Sequence, residues 1–98
     1  MSKNPLDIIR DLDEELFKGV QLSRDLAFKE GALSVKEKYL IAMALDAAHG
    51  ASDGVLSLAK QAQAAGASKK EIMEALRVAF YVTGAGSIYT AARVLDSL

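Results

Sequence analysis

The stretch from residue 33 to residue 50, LSVKEKYLIAMALDAAHG, decides the fold class. It opens with a capping box, in which the Ser34 hydroxyl can accept from the backbone N–H of Glu37 while the Glu37 carboxylate accepts from the N–H of Ser34. The run 40–45 that follows is apolar on every side of a helix. Because a helix without a polar face belongs in the centre of a structure, the segment predicts a central helix that ends at about Ala48.

The N-terminal part of the chain predicts a first helix. Asn4 can cap a first turn, and Pro5 suits the first helical position because its missing N–H would have no partner there. From Leu6 onward, apolar residues recur three or four positions apart and mark one helical face, which stops at Gly31. Gly19 lies within this pattern and weakens the expectation of one straight helix.

A third helix is expected after the central one. The sequence at 49–52, HGAS, interrupts the apolar pattern, and Ser52 or Asp53 can cap the helix that follows. Gly66 suits the left-handed backbone position just beyond a helix end. The third helix is therefore expected to end at this glycine.

The C-terminal part predicts two more helices. Ser68 and Glu71 form a second capping box, which opens a fourth helix. The run 83–86, TGAG, interrupts that helix, and Ser87 is expected to cap a short last one. Since no segment has the pattern of a strand, the sequence predicts an all-α, single-domain bundle of about five helices over residues 1–98.

Size and composition favour association between copies of the chain. A 98-residue domain buries a modest share of its unfolded surface, so disulfides, metals or oligomers usually support it. The sequence has no cysteine, and His49 is the only histidine, which argues against disulfides and a structural zinc site. Hydrophobic residues make up 51% of the chain and aromatic residues only 6%, a composition that allows close helix contacts. We therefore expect a homo-oligomer without metal or cofactor.

The charge and hydropathy patterns exclude two classes of partner. The formal net charge is −1 and the basic residues are scattered, whereas nucleic-acid binding relies on concentrated positive charge. No apolar run is long enough to span a bilayer. The first residues, MSKNPLDIIRDLDEELF, alternate acids with apolar residues and lack the apolar core of a signal peptide. The expectation is a cytoplasmic protein with neither a nucleic-acid nor a membrane partner.

Two stretches resemble the carboxymuconolactone decarboxylase family and the related alkyl hydroperoxidase D-like proteins. Residues 33–50 resemble the capped central helix of that superfamily. Residues 65–98, AGASKKEIMEALRVAFYVTGAGSIYTAARVLDSL, resemble its second half, in which a capped apolar helix, a Gly-rich corner and a closing helix follow one another. The resemblance implies the alkyl hydroperoxidase D-like fold and a homo-oligomer, commonly a hexamer built as a trimer of dimers.

The resemblance also indicates where the chemistry of the peroxidase branch would lie. That branch carries a Gly-Cys-x-x-Cys-x-x-x-His run after the central helix, with a glutamate upstream. In this sequence the two cysteine positions are Ala51 and Gly54, the histidine position is Leu58, and the upstream acid falls at about Tyr39. Because the reaction needs a thiolate and the chain has no cysteine, thiol peroxidase activity is excluded.

The decarboxylase branch is matched only in part. It also lacks the dithiol, but it fills the same segment with polar and charged side chains, whereas residues 51–58, ASDGVLSL, are largely apolar here. A carboxylate substrate calls for cationic groups, and no Arg or Lys lies between Lys38 and Lys60. The sequence therefore leaves open whether the protein is an enzyme at all.

Asp46, His49 and Asp53 are the candidate catalytic residues. Asp46 and His49 are three positions apart and share a helix face, and a carboxylate beside an imidazole can support general acid–base catalysis. This favours proton transfer or decarboxylation on a small carboxylate or lactone. The competing interpretation is that His49 ends one helix near its carbonyl groups and Asp53 caps the next.

A different class of function is also open to the chain. The positions that carry the family's reactive groups hold Ala51, Gly54 and Leu58, none of which is reactive. The alternative is therefore a non-catalytic, oligomeric binding or scaffold protein that kept the fold and lost the site. An open polar cavity beside His49 would favour an enzyme, and a filled one would favour the scaffold.

Overall fold

The computed structural model describes residues 4–98, which form six helices and no strand. In chain order these are α1 (Pro5–Leu12), α2 (Glu14–Phe28), α3 (Val35–Ala48), α4 (Ser52–Ala64), α5 (Lys69–Thr83) and α6 (Gly86–Leu95). The predicted all-α class is confirmed. Within this part of the chain no helix has the length and apolar character needed to cross a bilayer.

The N-terminal segment is two helices, where the sequence pattern predicted one. α1 ends at Leu12, and Asp13 has an extended backbone with φ −154° and ψ 91°. The Asp13 carboxylate accepts from the backbone N–H of Leu16 at 3.0 Å and so caps α2. Gly19 lies inside α2 without interrupting it. The prediction of one helix up to Gly31 was wrong because an aspartate in the middle of the apolar pattern acts as a cap.

Both predicted capping boxes are confirmed. The hydroxyl of Ser34 accepts from the N–H of Glu37 at 3.1 Å, and the Glu37 carboxylate accepts from the N–H of Ser34 at 3.0 Å. Ser68 and Glu71 repeat this arrangement at 3.1 and 2.9 Å. Gly66, just past α4, has φ +105°, the left-handed conformation that was predicted there. These contacts fix where α3 and α5 begin and where α4 ends.

Asn4 caps α1 as predicted, but the two remaining predicted caps were wrong. Ser52 is the first residue of α4, and no side chain caps that end of the helix. Its hydroxyl donates instead to the carbonyl of Thr90 in α6, at 3.3 Å, and Asp53 lies within the first turn. Ser87 likewise lies inside α6 and donates to the carbonyl of Gly84 at 3.0 Å. In both cases the serine lies inside its helix, and its hydroxyl donates to a carbonyl group instead of accepting from a backbone N–H at the helix start.

The core lies where α3, α4, α5 and α6 meet. α3 contacts each of the other three, so it is the central helix that the sequence predicted. The buried cluster consists of Met43, Ala47, Val55, Ala59, Ile72, Leu76 and Ala91. Three of the seven are alanines, whose small side chains let the helix axes approach closely.

An ion pair ties the beginning of α3 to the beginning of α5. The Lys36 ammonium lies 2.8 Å from one oxygen of the Glu71 carboxylate, whose other oxygen accepts from the N–H of Ser68. The hydrogen bond with Glu71 raises the pKa of Lys36, and the hydrogen bond with Lys36 lowers the pKa of Glu71. Because both carboxylate oxygens are engaged, Glu71 holds the two helix ends in register.

α1 and α2 form an arm beside the four-helix bundle. Neither helix contains a buried residue, and α2 contacts the bundle chiefly through α3. Large apolar side chains on the arm are exposed, among them Leu12, Leu16, Leu22 and Leu26. The arm is therefore attached to the bundle by a small contact and keeps an apolar surface in solvent.

Candidate functional site

The predicted catalytic residues lie together at the junction between α3 and α4. Asp46 is in the last turn of α3, His49 is the residue at which that helix ends, and Asp53 is in the first turn of α4. Gly50 adopts φ +78°, and the N–H of Ala51 donates to the carbonyl of Asp46 at 2.9 Å. This tight turn brings the three residues to one end of the bundle.

Their side chains make no contact that would orient the imidazole. His49 and Asp53 are exposed, whereas Asp46 is half-buried. Within residues 4–98, no hydrogen bond or ion pair joins the His49 ring to either carboxylate. In the same part of the chain, no three His, Cys, Asp or Glu residues converge on a point that could hold a metal ion. The catalytic role of the three residues stays a prediction.

The Asp46 carboxylate packs against the backbone of Gly54, across the α3–α4 junction. A Cβ atom at position 54 would clash with Oδ2 of Asp46 and lie 2.9 Å from its Cγ. No side chain fits at position 54 while Asp46 keeps this place. In terms of the family resemblance, Asp46 occupies the space that the second cysteine of the dithiol would need.

We expect the steric conflict between positions 46 and 54 to be measurable in a double-mutant cycle. Gly54→Ala should displace the Asp46 carboxylate and destabilise the protein, although alanine is the better helix former by about 1 kcal/mol. In an Asp46→Ala background the same substitution should be stabilising, giving a coupling energy of about 1–3 kcal/mol. Urea unfolding of the four proteins measures it, and equal effects of Gly54→Ala in both backgrounds would contradict the packing described.

The other positions singled out by the resemblance hold side chains that either pack against neighbours or lie exposed. Leu58 packs against the core cluster. Tyr39 stacks on Phe28 of the arm, with ring centroids 4.8 Å apart. Ala51 is exposed and precedes α4. None of these side chains supplies a reactive group at the α3–α4 junction.

A polar cleft of about 590 Å³ lies between α2 and α3, and none of the predicted site residues lines it. Its walls are formed by Gln21, Arg24, Asp25, Phe28, Lys29 and Tyr39. Arg24 of α2 and Lys29, the residue after α2, were not predicted as site residues. The available signal was that Arg24 and Phe28 are four residues apart and so share one helix face.

An apolar groove of about 250 Å³ runs between α3 and α5. It is lined by Ile41, Ala44, Leu45, Ala48, Val78, Ala79, Val82 and Thr83. Leu45 is 57% exposed and Val82 is 72% exposed. Contiguous apolar surface of this kind is typical of interaction sites.

The described residues form an all-helical bundle around a capped, apolar central helix, with no thiol at the junction that follows this helix. The family model described as the carboxymuconolactone decarboxylase family matches residues 14–97, and the chain belongs to this family. The match covers α2 to α6 and leaves α1 outside. No curated protein matches the sequence significantly.

Proposed function

We propose that this protein is a homo-oligomeric binding or scaffold member of the carboxymuconolactone decarboxylase family, without thiol peroxidase chemistry. The observation that carries the proposal is the packing of the Asp46 carboxylate against Gly54, which leaves no room for a side chain at position 54. Ala51 and Leu58 at the neighbouring reactive positions supply no nucleophile or proton carrier. A chain without cysteine has no thiolate with which to attack a peroxide.

Self-association is supported by the groove between α3 and α5. α3 is apolar on nearly every side, and the helices of its own chain leave Ile41 48% and Leu45 57% exposed. A second copy that covers this surface would remove it from water and so stabilise a small domain that has neither a disulfide nor a metal site in residues 4–98. We expect the hexamer that the family resemblance implies.

Native mass spectrometry of the purified protein tests the assembly directly. We expect a single homo-oligomeric species, with six copies as the leading stoichiometry and no monomer at micromolar concentration. The same spectrum reports any small molecule retained by each copy. A protein that is monomeric at all concentrations would contradict the proposal.

A second candidate function is proton transfer or decarboxylation on a small carboxylate or lactone at the α3–α4 junction. It is favoured by the turn that gathers Asp46, His49 and Asp53 at one end of the bundle. In this case His49→Ala should lower turnover about 10²–10⁴-fold, the usual contribution of a general acid or base. Asp96→Asn, outside the junction, is the matched control. Turnover that survives the loss of His49 would remove this candidate.

A further inference from the structure

We infer that the polar cleft between α2 and α3 binds a small aryl carboxylate, which bridges the arm and the bundle. The inference gives a ligand and a site to the proposed binding role. Its test is separate from that of assembly, because binding is measured by calorimetry and assembly by mass. The cleft volume of about 590 Å³ falls within the range of small-molecule sites.

The charged residues that line the cleft favour an anionic ligand. Arg24 and Lys29 line the cleft with a single carboxylate, Asp25. Neither cation forms an ion pair within residues 4–98. Two cations without a carboxylate partner beside one acid leave the cleft with a net positive charge. An anion is the ligand that such a cleft favours.

A hydrogen bond to α4 orients the Arg24 guanidinium. One of its terminal nitrogens donates to the side-chain oxygen of Gln61 in α4, at 3.4 Å. The Gln61 amide in turn donates to the hydroxyl of Ser57 at 3.2 Å and to its carbonyl at 3.3 Å. Because a guanidinium carries five N–H donors, this contact orients Arg24 and leaves donors for a ligand. The planar fork matches the two oxygens of a carboxylate.

An aromatic pair lines the same cleft. The rings of Phe28 and Tyr39 are stacked at 4.8 Å with an angle of 28° between their planes. Both residues are half-buried and both face the cleft. Aromatic rings favour offset-stacked or edge-to-face contact with a further ring. A flat ligand ring can stack against this pair while its carboxylate points toward Arg24 and Lys29. Such a ligand contacts both the aromatic and the cationic side chains of the cleft.

A ligand in this position would contact two elements that have little contact with each other. Arg24, Phe28 and Lys29 belong to the arm or its end, whereas Tyr39 belongs to α3. No residue of α2 is buried. Binding should therefore hold the arm against the bundle and slow hydrogen–deuterium exchange of the α2 amides.

A second cationic cleft supplies the matched control. It has a volume of about 520 Å³ and is lined by Lys69, Lys70, Met73, Glu74 and Arg77. This cleft is more basic, but it has no aromatic wall. If charge alone decided binding, an anion would prefer it to the cleft at Arg24.

The test is calorimetric titration of the full chain with benzoate, and with cyclohexanecarboxylate and inorganic phosphate for comparison. We expect saturable benzoate binding that Arg24→Gln weakens about tenfold, the effect of losing a hydrogen bond to a charged group. Tyr39→Leu should weaken benzoate binding and leave any binding of phosphate unchanged. Arg77→Gln should have no effect. Far-ultraviolet circular dichroism confirms that each variant is folded.

Several results would overturn the inference. Absence of saturable benzoate binding at millimolar concentration would do so, as would a benzoate affinity that Arg77→Gln lowers and Arg24→Gln does not. Equal affinities for benzoate, cyclohexanecarboxylate and phosphate would exclude the aromatic wall as a determinant. Unchanged exchange of the α2 amides at saturating benzoate would exclude the bridging position.

Discussion

Leu45→Glu should yield monomers of about 10.4 kDa in place of the proposed homo-oligomer. In the isolated chain Leu45 is 57% exposed and lines the groove between α3 and α5. A polar substitution at an exposed position normally changes the free energy of unfolding by no more than about 0.5 kcal/mol. If a second copy covers the groove, each glutamate becomes a buried charge without a partner, which costs about 3–5 kcal/mol. The effect on assembly should therefore far exceed the effect on folding.

Native mass spectrometry and sedimentation velocity over a range of concentrations measure this shift. Lys60→Glu introduces the same side chain on α4, where Lys60 is exposed and outside the groove; this control should keep the wild-type mass. Circular dichroism should show unchanged helix content in both variants. A Leu45→Glu protein with the wild-type mass would mean that the groove is not the interface.

The parts of the fold that could be predicted are those that depend on residues close together in the sequence. A capping box joins residues three positions apart, so the pairs at Ser34 and Ser68 are visible in the sequence itself. The left-handed glycine at position 66 follows equally from local backbone preference. The apolar run 40–45 predicted a central helix because its composition excludes a solvent-facing side.

The parts that were missed depend on competition between contacts. Asp13 is compatible with either a helix interior or a cap, and the periodicity around it gave no reason to choose the cap. Ser52 was expected to cap α4, but its hydroxyl donates to a carbonyl 38 residues away. Periodicity within one helix carries no information about a partner in another.

The same difference between local and long-range contacts explains how much of the candidate site could be predicted. The sequence gathered Asp46, His49 and Asp53 because they are close along the chain. Whether a cavity or a hydrogen bond unites them depends on side-chain directions, and the Asp46 carboxylate turns toward Gly54. The cleft at Arg24 involves a hydrogen bond to Gln61, 37 residues away in the sequence, which only the tertiary structure brings within reach.

Leu76→Ala should cost the domain a large share of its stability. Leu76 is 1% exposed and belongs to the core cluster of α3, α4, α5 and α6. Removal of a buried leucine side chain costs about 2–5 kcal/mol, because the transfer free energy is lost and a cavity remains. Small domains have a total stability of about 5–15 kcal/mol. We expect the melting temperature to fall on the order of 10–20 °C.

Met73→Ala on the same helix is the control, because Met73 is 49% exposed and its truncation opens a smaller cavity. Urea and thermal unfolding, followed by circular dichroism at equal protein concentration, measure both variants, since assembly makes the melting temperature depend on concentration. A loss of less than about 1 kcal/mol for Leu76→Ala would contradict the position of the core.

The core contains several small alanines and few large side chains, of which the largest that are fully buried are Met43, Ile72, Leu76 and Val55. Few other side chains can therefore compensate for the loss of one of them. The bundle therefore depends on each of these four side chains more than a larger core would.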